Sequence, residues 1–516
     1  MSFKQLPSRP NLDQLKKQAK ELHRALKRGD ADALQRFSDA KPEHAPSHQP
    51  NAAWNYSLND AYFILAREYG YSSWPKLKHR IEIINDPIAM FLSTAIHGDM
   101  KTARQIANEY SDTIQSDFIC ACILGETDLV ARMLQQDASL AVKPLGPRNA
   151  EALFYLCYSR FHRESEAQAQ GILDIARMLL QHGANPNASV KAEANWTPTA
   201  LYGACGLANN AALAKLLLES GANPNDNESL YHATEFEDLA CLQLLLEHKA
   251  TIKGTNALPH MIDRNDAAGV RLLLEHGADP NETLGENETA LHWAVKRGCS
   301  SDLVELLLKH GVKLEAKNHS GQTAYIFARR MGATTTAEYL LQRGAVDAMA
   351  QQDHFIAACM RGDRDAALVM MKDNPHYVRD LPAREMRAVS DAGWKCNWDA
   401  LALMTEIGFD LNARGEHGAT ALHWACWFGL VNLVELLLQH NSPLEAKCIA
   451  YGCSPFGWTA HGADNCQNPK GDYLAVAKAL INAGAKINIT NQWNETLFPE
   501  KHLPLAEYLR GLGVTR

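Results

Sequence analysis

The feature that most constrains this 516-residue sequence is an internal repeat that begins near residue 90. The phrases "LAKLLLESGANPN", "GVRLLLEHGADPN" and "LVELLLKHGVKLEAKN" end successive units, whereas "TALHWAV" and "TALHWACWFG" begin them. Units start at intervals of roughly 27 to 47 residues, mostly near about 33. Such a period predicts short units that bury their apolar faces only by stacking on their neighbours.

Each unit is predicted to contain two helices. In the second helix, leucine triplets such as residues 216 to 218 are expected to pack against neighbouring units, and Gly221 and Gly277 suit the left-handed conformation that ends a helix. The predicted unit starts are 91, 118, 152, 199, 229, 257, 289, 323, 355, 387, 420 and 454. Insertions at 160–171, 188–196 and 461–472 are predicted to form loops, and loops at one rim often shape a binding site.

This turn followed by two helices, repeated about twelve times, resembles the ankyrin repeat from about residue 90 to the end of the sequence. The resemblance implies an all-α ankyrin-repeat solenoid, with "LPLAEYLRGLG" as a C-terminal capping helix. It also implies a recognition protein, because ankyrin repeats generally bind protein partners on their concave inner-helix face. The function predicted first is therefore binding of a partner or ligand on that face.

A small helical domain is predicted before the repeats. Its first helix has apolar residues at helical spacing, Ser57 and Asp60 are spaced as a capping box, and "SSWPKLKHRIEII" indicates a third helix. The segment resembles one that precedes repeat arrays in many bacterial proteins. Because "FLSTAIHGDMKTARQIA" and "FIAACMRGDRDAALVMM" are alike, we predict two arrays and three domains, spanning 1–87, 88–350 and 351–516.

Composition argues against several classes of function. The formal charge of −8 disfavours a general nucleic-acid or anionic-membrane binder, which would carry a basic excess. The twelve cysteines lack the spacing of a secreted disulfide scaffold, and no apolar stretch of about 18 residues is present. We therefore expect a reduced, soluble, cytoplasmic protein that contacts neither nucleic acid nor membrane.

Four polar residues form the first candidate site. His232 and His260 are each followed three positions later by an acid, Glu235 or Asp263, in a slot that other units fill with small residues. Since residues at i and i+3 share a helix face, the two pairs could converge. They could bind a divalent metal such as zinc or act as general acid and base in a hydrolase or lyase. Alternatively, the acids only form hydrogen bonds to the histidines or to Arg264.

A basic patch follows the acidic one along the sequence. Lys296, Arg329 and Arg330 could hold a small anionic ligand, with Tyr231 and Arg264 beside the acids. Equally, Arg329 could only neutralise Asp263 or Glu235. An enzyme acting on a small anionic substrate in the 229–330 repeats is therefore the alternative to the recognition function.

Aromatic residues accompany these charges. Trp293, Trp424 and Trp427 are predicted near the concave face, where tryptophan anchors partners, although they could instead be half-buried between units. His292 and His423 are predicted to be structural, because this histidine of the ankyrin unit usually binds the backbone of an adjoining loop. A zinc site is also conceivable from Cys448, Cys453, His461 and Cys466, but these residues lack the close C-x-x-C pair of such sites.

Overall fold

The computed structural model describes residues 3–40, 56–190, 197–372, 374 and 376–514. The insertion predicted at 188–196 lies mostly outside this range. The chain divides into two compact units, residues 1–260 with 275–277 and residues 261–274 with 278–516. Each unit is described by itself below, and the predicted domain boundaries at 87 and 350 stay predictions.

The first unit begins with the predicted helical segment. Ser57 and Asp60 form the predicted capping box, in which each side chain accepts a hydrogen bond from the other residue's backbone N–H. Phe37 and Tyr56 meet edge to face within the core of this segment. One helix, α2, was not predicted. The helices are α1 (Leu12–Lys27), α2 (Ala31–Ala40), α3 (Leu58–Glu68) and α4 (Trp74–Asn85).

Helix pairs make up the rest of the first unit. Gly203–Leu207 forms a π-helical turn that extends the short α12. The helices are α5 (Pro87–His97), α6 (Met100–Glu109), α7 (Ser111–Ser116), α8 (Phe118–Leu124), α9 (Thr127–Gln136), α10 (Ala152–Tyr158), α11 (Glu166–Gln181), α12 (Ala200–Tyr202), α13 (Ala211–Glu219), α14 (Ser229–Ala233) and α15 (Ala240–Glu247), followed by α16 (Ala257–Asp263), which ends in the second unit.

The second unit continues the helix pairs and ends with the predicted capping helix. Its helices are α17 (Ala267–Glu275), α18 (Ala290–Arg297), α19 (Ser301–Lys309), α20 (Ala324–Arg330), α21 (Thr334–Gln342), α22 (Gln351–Met360), α23 (Arg364–Met371), α24 (Tyr377–Asp380), α25 (Ala388–Trp394), α26 (Trp398–Glu406), α27 (Ala421–Trp427), α28 (Val431–Gln439), α29 (Pro455–Asn465), α30 (Tyr473–Asn482) and α31 (Leu503–Gly511).

The predicted architecture is confirmed. Each predicted repeat start lies within four residues of the start of a first helix, from α5 at Pro87 to α29 at Pro455. In the second unit, each first helix contacts the first helix of the next repeat, and from α22 onward the buried apolar residues form one continuous core. No helix in the described part of the chain is long and apolar enough to cross a membrane.

Candidate functional site

An aromatic cavity of about 470 Å³ lies among the first helices of the last repeats of the second unit. Helices α25, α27 and α29 place tryptophans along one side of it, and the loops before α27, before α29 and after α30 close the other side. We call the space lined by these residues the aromatic cavity: Trp394, His417, Trp424, Trp427, Tyr451, Cys453, Trp458, His461, Asn491, Trp493, Glu495 and Leu497.

The rings of the aromatic cavity support one another. The centroid of the Trp458 ring lies 4.9 Å from that of Trp424 and 5.9 Å from that of Trp427, both in edge-to-face geometry. Trp424 and Trp458 are each only 6% exposed, whereas Trp493 and Tyr451 at the rim are 58% and 41% exposed. The cavity therefore has a rigid aromatic floor and an accessible aromatic rim.

A buried histidine fixes one wall of the cavity. The Nε2–H of His423 donates to the carbonyl oxygen of Cys453 at 3.0 Å, and its Nδ1 accepts from the backbone N–H of Thr420 at 3.1 Å. Burial lowers the pKa of His423 to about 4, so the ring is neutral near pH 7. His292 binds the carbonyl oxygen of Gln322 in the same way at 2.9 Å. The predicted structural role of these two histidines is confirmed.

The indole N–H groups of Trp458 and Trp424 differ in their hydrogen bonding. The N–H of Trp458 donates to Cys448 Sγ at 3.3 Å, while the buried N–H of Trp424 has no acceptor among the described residues. Hydrogen bonds from Cys453 and Trp458 lower the pKa of the Cys448 thiol to about 5. Cys448 and Cys453 thus form a thiol pair behind the aromatic wall. No group of three or more potential metal ligands occurs in the described ranges, including around these cysteines.

The lining of the cavity is aromatic and slightly acidic. Glu495 is exposed at the rim, where its Oε2 accepts from the side-chain amide of Asn491 at 2.7 Å, and no lysine or arginine belongs to the lining. Burial lowers the pKa of His461, which favours its neutral form. The only formal charge on the lining at neutral pH, histidines aside, is therefore the Glu495 carboxylate.

A second group of side chains in the same unit has the opposite character. It consists of acids and bases around a cavity of about 60 Å³, which has room for only a few waters, and all of them except the exposed Glu286 are buried or half-buried. We call it the charged cluster: Glu286, Glu288, Lys296, Arg330, Asp353, Glu385, Arg387, Asp391 and Glu416.

The bases of the charged cluster are bound to its acids. Lys296 Nζ lies 3.4 Å from Glu288 and 3.3 Å from Glu416. Arg330 binds Asp353 at 2.8 Å and also pairs with Glu385. These two bases, which were predicted to hold an anionic ligand, already have carboxylate partners within the chain.

The charged cluster also joins repeats that are far apart in sequence. Arg387, just before α25, binds Glu286 before α18 at 2.7 Å, and the Lys395 ammonium donates to the carbonyl oxygen of Lys296. Repeat proteins normally contact only adjacent repeats, yet two other repeats separate these partners. Burial and the nearby Arg297 lower the pKa of Lys395 to about 8. In the second unit, side chains of later repeats therefore bind the charged residues on the inner side of earlier repeats.

The candidate acid–base residues of the first unit lie together around Tyr231. The His232 ring lies between Glu228 and Glu235, with nitrogen–oxygen distances of 3.2 Å to each. His260 Nδ1 lies 2.7 Å from the Thr234 hydroxyl, and the Tyr231 ring is 5.1 Å from the His232 ring and 5.2 Å from the His260 ring. The structure thus shows one histidine between two carboxylates and a second histidine bound to a hydroxyl.

Asp263, in the second unit, has partners of its own. Its Oδ1 accepts from the Trp293 indole at 2.7 Å and from Arg297 at 2.6 Å. Arg297 and Lys296 also lie over the Trp293 ring, each 5.1 Å from its centroid. Arg264 is exposed, and Arg329 is half-buried without an ion pair to another described residue. The proposed metal set has no ligand cluster in the described part of the chain and stays a prediction.

Sequence reasoning missed several residues of the aromatic cavity. Trp394, His417, Tyr451, Trp493 and Glu495 were not predicted, although Trp424 and Trp427 were. One signal was present: Trp394 and Trp427 are both the seventh residue of a first helix, as is His461. The cavity residues that lie in loops had no such signal, because these loops differ in length from one repeat to the next.

The fold and its helix pairs define a helical repeat protein, and comparison with known families names the repeat. The model described as "Ankyrin repeats (3 copies)" matches residues 165–257 and 258–352, and "Ankyrin repeat" matches residues 417–448. The matched residues of this chain are therefore ankyrin repeats. A bacterial source stays a prediction.

Relatives share part of the chain. It is 28% identical over 190 residues to the E3 ubiquitin-protein ligase XBAT33 of Arabidopsis thaliana, which is 33% of each protein. It is 22% identical over 232 residues to the ankyrin repeat protein L371 of Acanthamoeba polyphaga mimivirus, which covers 42% of this chain and 29% of that protein. The chain therefore spans about a third of the length of these relatives.

Proposed function

We propose that this ankyrin-repeat protein recognises a protein partner by accepting one of its side chains in the aromatic cavity. The observation that carries the proposal is the convergence of the predicted Trp424 and Trp427 with Trp458 around a single accessible space of about 470 Å³. Ligand sites typically have volumes of about 300 to 1,000 Å³ and mostly apolar walls with a few polar groups. The aromatic cavity fits that description, whereas the cavity in the charged cluster is too small.

The accessible rim of the cavity supports the same proposal. Exposed Trp493 and Tyr451 offer the aromatic contacts that often contribute most to binding at protein interfaces.

The test measures binding of short capped peptides that differ only in their central side chain. Binding would be followed by the fluorescence of the tryptophans. We expect at least one peptide to bind, and Trp427→Ala to weaken it by more than about 1 kcal/mol. Trp398→Ala is the matched control, because Trp398 lies on the second helix α26 and does not line the cavity. Equal losses in the two variants, or no binding by any peptide, would remove the recognition proposal.

One observation supports the alternative that the protein is an enzyme. His232 lies 3.2 Å from both Glu228 and Glu235, an arrangement that can hold and transfer a proton. The ubiquitin ligation named for the plant relative is not proposed here, because the likeness covers only a third of that protein.

This alternative is tested with Glu235→Gln, which removes a charge and a base but keeps the size of the side chain. Turnover of a panel of ester, amide and phosphoester substrates would be measured for the natural chain and the variant. The control is Glu219→Gln, on the neighbouring second helix α13. A turnover lost in Glu235→Gln and kept in the control would support the enzyme. Equal turnover in both, or none in the natural chain, would reject it.

A further inference from the structure

We propose that the group accepted by the aromatic cavity is a quaternary ammonium, such as that of choline or of a trimethylated lysine side chain. This inference rests on the proposed recognition function, because it assigns a chemical class to the same cavity. Four observations lead to it: the arrangement of the rings, the charge of the lining, the way the chain's own cations use two of its tryptophans, and the shortage of hydrogen-bond acceptors.

The rings supply the attraction for a cation. The faces of aromatic rings carry negative potential, and tryptophan attracts a cation most strongly. Trp424, Trp427 and Trp458 lie with neighbouring centroids 4.9 and 5.9 Å apart, and Tyr451 lies 6.4 Å from both Trp458 and Trp493. A group entering the cavity is therefore surrounded by rings from two helices and two loops.

The charge of the lining favours a cation over an anion. Glu495 is acidic, the lining has no lysine or arginine, and burial favours the neutral form of His461. An anion here would meet a like charge and no basic partner. The small anionic ligand considered from the sequence is thus disfavoured in this cavity, because the predicted bases Lys296 and Arg330 belong to the charged cluster.

Two tryptophans of the second unit bind cations of the chain itself. Lys395 lies 4.4 Å and Arg297 lies 5.8 Å from the centroid of the Trp394 ring, which lines both the aromatic cavity and the cavity of the charged cluster, and Trp293 has Lys296 and Arg297 over it. Within the described residues, no lysine or arginine lies over the rings of Trp424, Trp427 or Trp458. Of these rings, Trp427 is only half-buried, and together with the exposed Tyr451 and Trp493 it is accessible to a cation from outside the chain.

The cavity lining offers few hydrogen-bond acceptors, and this favours some cations over others. A primary ammonium has three N–H donors and an arginine has five, and each donor needs an acceptor when it loses water. One oxygen of Glu495 already binds Asn491, and most of the remaining lining is aromatic. A quaternary ammonium has no N–H group, so it keeps the attraction to the rings without leaving donors unsatisfied.

The test titrates the full chain with choline and with 3,3-dimethylbutan-1-ol, which has the same shape without the charge. We expect choline to bind about tenfold more tightly, because cation–π attraction contributes up to about 2 kcal/mol at a desolvated site. Two peptides, identical except for lysine or trimethyllysine, form the second arm. Tighter binding of the trimethyllysine peptide than of choline assigns the group to a protein partner, and the reverse order assigns it to a small molecule.

Two variants locate the binding. Trp427→Ala should weaken choline binding by about tenfold or more. Glu495→Gln, which removes only charge at the exposed rim, should weaken it by up to about fivefold. Glu507→Gln, an exposed acid on α31 outside the cavity, is the control and should leave binding unchanged. Because Glu495 is exposed, its variant tests the inference even if Trp427→Ala fails to fold.

The outcomes separate this inference from the recognition proposal. Equal binding of choline and its neutral analogue, tighter binding of unmodified lysine, or no binding of either ammonium probe would overturn the inference. Recognition would still stand if another peptide of the side-chain series bound and required Trp427. Conversely, binding of choline with no binding by any peptide would uphold the quaternary ammonium and overturn recognition of a protein partner.

Discussion

The charged cluster and the aromatic cavity share one position of the first helices. The seventh residue is Lys296 in α18 and Arg330 in α20, then Ala357 in α22, and Trp394 in α25, Trp427 in α27 and His461 in α29. The basic residues meet carboxylates of distant repeats and become buried. The aromatic residues surround a space of about 470 Å³ that no part of the described chain fills.

This difference shows how one repeat position can serve structure or recognition. A charge on an inner helix must be paired with an opposite charge when it is buried. In the charged cluster, a carboxylate of another repeat is that partner. An aromatic ring needs no such partner and can remain accessible at a surface. The basic residues predicted to bind a ligand therefore form ion pairs within the fold, whereas the aromatic residues line a cavity that can accept a ligand.

The largest expected effect tests the structural role of the charged cluster. Arg330→Met leaves buried Asp353 without its cation and the 3%-exposed Glu385 with only the exposed Arg384 as a partner, and breaking a buried ion pair costs about 3 to 5 kcal/mol. We expect a loss of this size in the free energy of unfolding, measured with urea. Arg329→Met is the control, because the adjacent Arg329 has no ion pair with another described residue, and it should change stability by about 0.5 kcal/mol or less. Similar losses in both would mean that the cluster does not hold the fold.

The next effect concerns the wall of the aromatic cavity. The pKa of His423 is about 4 in the folded chain and 6.5 for a free side chain. Between these values the unfolded chain binds a proton that the folded chain does not, so stability is full above pH 6.5 and falls as the pH decreases. The loss should approach about 3 kcal/mol near pH 4.

The control for this pH dependence is His423→Gln, whose side chain does not titrate. Unfolding would be followed by urea denaturation across the pH range, and the difference between the two proteins isolates His423 from the other histidines. A constant difference from pH 7 to pH 4 would contradict the buried, neutral histidine.

The smallest effect compares two tryptophans of the cavity floor. Trp424 and Trp458 are equally buried, but only Trp458 has an acceptor for its N–H, Cys448 Sγ. Phenylalanine removes the N–H from either, so Trp458→Phe should be more destabilising than Trp424→Phe by about 1 kcal/mol. The measurement is the difference in free energy of unfolding. The opposite order would mean that the Trp424 N–H has a partner in the free protein.

Much of the fold could be predicted from the sequence, because leucine triplets and helix-ending glycines recur with the repeat. The structural histidines could be predicted for the same reason, since His292 and His423 occupy the same local motif. The pairing of Arg387 with Glu286 could not be predicted, because it depends on how far the array bends over several repeats. The same bending decides which predicted site residues are buried.

The candidate site was only half predictable. Trp424 and Trp427 could be recognised from their helix positions, but Tyr451, Trp493 and Glu495 come from loops whose conformation no local pattern determines. Trp424 is 6% exposed and packs within the core, so its removal should destabilise the chain as well as the cavity.

The most direct test of the account is a nuclear magnetic resonance titration that observes the indole N–H signals of the ten tryptophans while choline is added. The account predicts that the signals of Trp424, Trp427 and Trp458 shift with a common saturation curve. It also predicts that the signal of Trp293, whose N–H is bound to Asp263 beside the charged cluster, stays in place. A shift confined to Trp293, or equal small shifts of all ten signals, would contradict the assignment of binding to the aromatic cavity.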